Sequence, residues 1–224
     1  EAGHPLLQQK EEKRVLLVPV TGDKGLCGAF NTQVIRRTRE EIKARGEVEL
    51  LCLGRRGADY FRRLGTTPIR GRETTLFSGF SFEDSSRIAN DITKAFTEGE
   101  YDAVYTIYNQ FVSVISQKLS VERLLPLDTG VDDDGDATQD YLFEPSGSEI
   151  LGKIVPGYVS TQVHRILLDS AAAEHAARMT AMDAATKNAG ELIDNLTLTY
   201  NRSRQAAITK ELIEVVSGAQ ALEG

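Results

Sequence analysis

Apolar residues follow two different rhythms along this chain. In the first part, short apolar runs alternate with helical spacings. Val15-Leu16-Leu17-Val18-Pro19-Val20 suits a buried parallel strand, and Thr21-Gly22-Asp23-Lys24-Gly25 is the turn after it. Phe30, Val34, Ile35, Thr38 and Ile42 then recur at helical spacing over residues 29–45, closed by Gly46. Val48 to Leu53 reads as a second strand, followed by a helix through Tyr60, Phe61 and Leu64. Residues 81–98 read as a third helix with Phe82, Ile88, Ile92 and Phe96 inward, and residues 101–108 and 112–119 as two further strands. Strands alternating with helices predict an α/β fold, a Rossmann-like three-layer domain with a mostly parallel sheet over residues 13–145. Residues 1–12 are polar around a Gly3-His4-Pro5 break and read as a linker.

The rhythm changes in the last third. After a short strand at Tyr141-Leu142-Phe143 and a break at Glu144-Pro145-Ser146, a helical turn from Ser148 to Val155 leads to Pro156-Gly157, where a long helix is expected to start. From Tyr158 to Leu222 roughly 65 residues run without proline, on the order of 100 Å of helix. Leu168, Ala172, His175, Met179, Met182, Thr186, Ala189, Ile193, Leu196 and Tyr200 step by fours and threes, as do Ile208, Leu212, Val215, Ala219 and Leu222. That is the narrow seam of a coiled coil. Tyr200, Arg204, Ile208 and Leu212 are all four apart, a stutter that straightens the supercoil and puts Arg204 on the seam. A long C-terminal coiled-coil helix over residues 146–224 therefore completes the organisation, and a rod of this length must pair with, or insert into, something else.

Composition narrows the functions available. The 224 residues carry a net charge of -7, which leaves no basic face for a nucleic-acid partner. Cys27 and Cys52 fit no disulfide framework or zinc spacing and read as small buried hydrophobes of a reducing compartment. No apolar run reaches membrane-spanning length, and no signal peptide is present, so direct membrane insertion is not expected.

Candidate chemistry is sparse. Gly22-Asp23-Lys24-Gly25-Leu26-Cys27-Gly28 lies between a strand and a helix, where a phosphate would bind, but it matches neither the P-loop nor the dinucleotide fingerprint. Its glycines read as a tight turn with close helix-to-sheet approach. Residues 128–140 form an acidic loop whose composition predicts mobility. Its Asp132-Asp133-Asp134-Gly135-Asp136 core mimics part of a calcium loop, but Phe143 stands at the twelfth position where a bidentate Glu is needed. His4, His164 and His175 are scattered, so no metal site, cofactor or catalytic constellation is expected. On the long helix, Arg178, Arg204, Gln205, Thr209 and Glu211 lie within or beside the seam. A guanidinium there is costly to bury unless carboxylates or carbonyls meet it.

The run Ile208-Thr209-Lys210-Glu211-Leu212-Ile213-Glu214-Val215-Val216-Ser217-Gly218-Ala219 closely resembles the C-terminal signature of the gamma subunits of rotary ATP synthases. Glu174-His175-Ala176-Ala177-Arg178-Met179, Ala184-Ala185-Thr186-Lys187-Asn188-Ala189 and Gly25-Leu26-Cys27-Gly28 are similar to the same family, in order along nearly the whole chain. The family's long N-terminal helix, which pairs antiparallel with the C-terminal one, has no counterpart in this sequence. Nor does either cysteine lie in an insert like the regulatory one of the chloroplast type, so no thiol switch and a bacterial source are expected.

The resemblance implies a central-stalk rotor at the axis of a ring of alpha and beta subunits, coupling ion-driven rotation to conformational change at the beta catalytic sites. It implies that Arg178, Arg204, Gln205, Thr209 and Glu211 meet loops of the beta subunits, and that Asp23 and Lys24 touch a partner near the rod and stator. Tyr141, Phe143 and Glu144 resemble the foot on the membrane c-ring, and the α/β domain would also meet the epsilon subunit. The expected location is the cytoplasmic face of the bacterial inner membrane, held there through the complex. Two other readings stand beside this one. One is a Rossmann-type nucleotide-binding enzyme with a C-terminal dimerisation helix; the other is a plain coiled-coil scaffold.

Overall fold

The computed structural model describes residues 4–128 and 147–223, with side chains described for 4–128 and 151–222. Two compact units result, residues 1–180 and 181–224. In the first, β1 (Arg14–Pro19), β2 (Glu47–Leu53), β3 (Ile69–Glu73), β4 (Ala103–Ser113) and β5 (Ser116–Leu125) form one five-stranded sheet of order β3-β2-β1-β4-β5. The first four are parallel, and β5 returns antiparallel to β4. Between them run α1 (Phe30–Ala44), α2 (Arg55–Leu64) and α3 (Phe82–Thr97), and α4 (Gly147–Glu223) follows.

Alternation along β1 sorts the layers. Val15 and Leu17 face Val34 of α1 and Ala58 and Phe61 of α2. Leu16, Val18 and Val20 face Ile88, Ile92 and Phe96 of α3 and Val155, Val159, Val163 and Leu167 of α4. A strand buried on both faces must be apolar throughout, which is why β1 reads as a continuous run. α3 starts where Ser81 and Asp84 close a reciprocal capping box.

Several expectations are corrected here. The expected linker contains a 3-10 turn, Pro5–Leu7, whose Leu6 is fully buried among α3 and α4 side chains. Its carbonyl accepts from the Leu127 amide at 2.9 Å. The expected strand 112–119 straddles a hairpin turn, because its apolar residues are not core: Ile115 is 86% exposed at the tip. β5 instead runs from Ser116 to Leu125, and as an edge strand it carries polar residues that hide its periodicity. β3 pairs only with β2 and carries one large apolar residue, Ile69, so no apolar period marks it as a strand. Phe82, expected inward, occupies the first position of α3 and is 51% exposed, with its ring edge-on to His164.

α4 does not start at Pro156 but contains it. The missing proline donor costs one ladder bond, and burial of Val155 and Val159 on either side holds the helix through that turn. The acidic loop lies almost wholly, and the expected strand at residues 141–143 entirely, outside the described residues.

Within the first unit, α4 buries Val155, Val159, Val163, Ile166, Leu167, Ser170, Ala173 and Glu174. The seam residues Leu168, Ala172, His175 and Met179 fall on another face and are exposed. In the second unit the seam continues exposed through Ile193, Leu196, Tyr200, Ile208, Leu212 and Leu222.

Two stability predictions follow from these contacts. Truncating the buried side chain in Leu6→Ala should cost about 2–5 kcal/mol in chemical unfolding. Asp102 accepts the backbone amides of Arg14 (2.8 Å) and Lys13 (3.3 Å), and these bonds hold its carboxyl below the usual carboxylate range. A depressed native value stabilises above the unfolded value and is lost as pH falls through the native one. Asp102→Ala should therefore cost about 1 kcal/mol at neutral pH, and the difference from wild type should vanish in acid unfolding curves.

Candidate partner-binding sites on the glycine loop and the long helix

The loop after β1 is held by groups that satisfy one another. Asp23 accepts the Arg55 amide at 2.9 Å through Oδ1 and the Phe77 amide at 3.0 Å through Oδ2. Thr21 Oγ1 accepts the Gly57 amide at 2.9 Å, Gly22 O accepts the Arg56 amide at 3.1 Å, and the Gly22 amide donates to Asn31 Oδ1 at 2.8 Å. The first amides of α2 thus donate to the side chains and carbonyl of the loop after β1, which ties that helix to the loop. Gly54 makes the closeness possible: its φ is +98°, and a Cβ there would lie 1.8 Å from Thr21 O. Asp23, expected at a partner contact, spends its carboxylate on this internal bracing. Lys24 is exposed, and Leu26 beside it is 73% exposed with φ 62°.

The same loop packs on α4. Ala173 is buried with Cys27 and Phe30, and Ala177 packs against them. Glu174 is only 5% exposed and pairs with the Arg178 guanidinium one turn on. Arg178 Nε also donates to Gly25 O at 3.4 Å. The structure therefore brings Arg178 together with the Asp23–Lys24 loop, half-buried and engaged from within. Sequence reading passed over Glu174, which looks like one more surface charge in an alanine-rich stretch. Its signal is the carboxylate four residues before an arginine on one helical face.

Arg204, Gln205, Thr209 and Glu211 lie together in the second unit, all exposed. At helical spacing Arg204, Ile208 and Glu211 share one strip, and Gln205 and Thr209 share the next. Among the described residues no ion pair engages Arg204 or Glu211, whereas the neighbouring Lys210 pairs with Glu214 at 3.7 Å. Donors and acceptors beside an apolar stripe are thus available for directed bonds. Tyr141, Phe143 and Glu144 lie outside the described residues.

Comparison with known proteins bears on this arrangement. A family model described as ATP synthase matches residues 1–222. The ATP synthase gamma chain of Pelotomaculum thermopropionicum is 44% identical over 222 residues, 98% of this chain and 78% of that protein. The chain belongs to the ATP synthase gamma family. The gamma chain of Sorangium cellulosum is likewise 44% identical, over 238 residues covering all of this chain and 73% of its own length. Among solved structures, the central stalk and c-ring of the Tetrahymena thermophila mitochondrial ATP synthase aligns at 27% identity. Its TM-score is 0.65, covering 80% of this chain and 79% of that one. A chain of the Euglena gracilis mitochondrial ATP synthase shares the fold at 21% identity and TM-score 0.75, over 97% of this chain and 78% of that one. This gamma-family chain is a central-stalk rotor subunit of a rotary ATP synthase. The nucleotide-enzyme alternative has no support.

The two thiols are buried and free. Burial pushes Cys52 up to about 12, and burial together with the nearby Glu174 carboxylate raises Cys27. At pH 8 the Cys52 thiol of this gamma chain should react with an aromatic disulfide reagent about a hundredfold or more slower than in denaturant, and Cys27 should also react more slowly than in denaturant.

Proposed function

We propose that this chain turns at the axis of a ring of alternating alpha and beta subunits, and that its long helix is the element each beta nucleotide site senses. The observation that carries this reading is the second unit's exposed apolar stripe, flanked by Arg204 and Glu211, which no ion pair engages among the described residues. Directional bonds from Arg204, Gln205, Thr209 and Glu211 to loops of the beta subunits would favour particular rotor angles. In thermodynamic terms the helix is a ligand with different affinities for open and closed beta subunits, and torque exchanges those states.

In this reading the exposed Lys24 ammonium and the Arg178 guanidinium face the catalytic ring, and the α/β domain meets the epsilon subunit. Tyr141, Phe143 and Glu144 form the foot on the c-ring. Among the described residues no helix is long and apolar enough to cross a membrane. Attachment through the c-ring would hold the chain at the cytoplasmic face of a bacterial inner membrane.

Reconstitution with alpha and beta subunits tests the proposal. ATP hydrolysis should depend on the chain and fall about tenfold in Arg204→Ala/Gln205→Ala, the rate equivalent of one lost charge-assisted hydrogen bond. Full activity in that variant would remove these residues from the bearing. Failure of wild type to associate with alpha and beta would overturn the rotor placement.

A further inference from the structure

Among the described residues, polar attachments join α4 to the rest of its unit at His164, Arg165, Arg178 and Thr180. Arg165 reaches Glu122 at 2.7 Å and Tyr108 at 3.2 Å, and His164 meets Ser85 at 2.9 Å. At Thr180, where the unit ends, the hydroxyl donates to the Val114 carbonyl at 3.4 Å, and just before it Glu174 and Arg178 meet the glycine loop. This last attachment is the one on which the inference rests. It differs from the others in its fit. A Cβ built on Gly22 would lie 2.6 Å from both Cδ and Oε1 of Glu174 and 2.8 Å from Oε2. The carboxylate thus occupies the space that a side chain at position 22 would need. Gly22 is not in the left-handed region, so conformation does not require glycine there; space does.

Burying a carboxylate costs desolvation, and an apolar residue would pack on Phe30, Cys27 and Ala173 without that cost. Apolar packing, however, is non-directional and tolerates sliding. A charge held in a socket, with its counter-ion bonded to the socket's own Gly25 carbonyl, does not.

We propose that Glu174 is a positioning residue, seated in the socket left open by Gly22 and clamped by Arg178, that fixes α4 in angle and register against the loop of residues 22–28. Arg178 in this role acts within the chain. The inference rests on the rotor reading: torque on the helix passes into the α/β fold through this pin. Hydrolysis, sensed by the bearing residues of the second unit, does not depend on it, whereas delivery of work to the ion path does.

The test uses the assembled, membrane-bound complex carrying wild type, Gly22→Ala, Glu174→Ala, Glu174→Gln or the Gly22→Ala/Glu174→Ala pair. ATP hydrolysis and ATP-driven ion pumping are measured together. Gly22→Ala and Glu174→Ala should each lower pumping per ATP hydrolysed by about threefold or more while hydrolysis persists, and Glu174→Gln should fall between them and wild type. The double variant should be no worse than Glu174→Ala, because the atoms that an alanine methyl at position 22 would crowd most closely belong to the carboxylate that is gone. Additive losses, or unchanged pumping per ATP, would overturn the proposal.

Amide exchange of residues 22–28 in the same complexes gives a readout independent of rotation. Protection should fall about tenfold in Gly22→Ala and no further in the pair. If wild type neither hydrolyses nor pumps, the rotor reading fails, and the exchange data alone then decide whether the pin exists. Protection unaffected by Gly22→Ala would rule it out.

Discussion

The loop after β1 sets the terms for the whole first unit. Asp23 and Thr21 accept amides at the start of α2, Gly22 packs against Glu174, and Gly25 faces both Arg56 and Arg178. A Rossmann-like sheet ordinarily leaves this end open for a ligand, because orphan amides and a helix dipole converge there. Here the chain supplies its own acceptors for the first amides of α2, the helix after β2. The loop thereby ties together α2, the 3-10 turn at Leu76–Ser78 and α4.

Electrostatics in the unit follows the same economy of internal partners. Arg165 lies between Glu122 and Asp169 with Tyr108 beside them, and burial with the Glu122 carboxylate raises the Tyr108 phenol well above its usual range. Arg70 joins Glu100 and Asp91 near Tyr101, whose phenol is pushed up to about 12 by burial and by Glu49. Raised phenol values mean that these networks favour the protonated hydroxyl. Their contribution is complete below about pH 10 and is lost only as pH climbs through the native values.

Much of this was legible in the sequence, for reasons specific to each element. β1 and β2 are apolar on both faces, and α1 and α3 carry apolar residues at helical spacing, so their periods announce them. β3 and β5 are edge strands, and an edge strand needs no apolar pattern because half its surroundings are water. Leu6 was hidden because one buried residue in a polar segment has no period at all. Arg178, Arg204 and Glu211 stood out by charge beside an apolar seam. Glu174 did not, since its significance depends on a missing Cβ far away in sequence, which no local pattern encodes.

The hydrogen bond between Leu6 and Leu127 carries a last consequence. It places the two ends of the α/β segment side by side, so residues 6–127 form a closed loop in space, as in a cassette spliced into another element. A module with adjoining ends can be exchanged, enlarged or circularly permuted without altering the spacing of whatever flanks it. This geometry lets the globular part of the chain diversify while the helical part keeps its pitch.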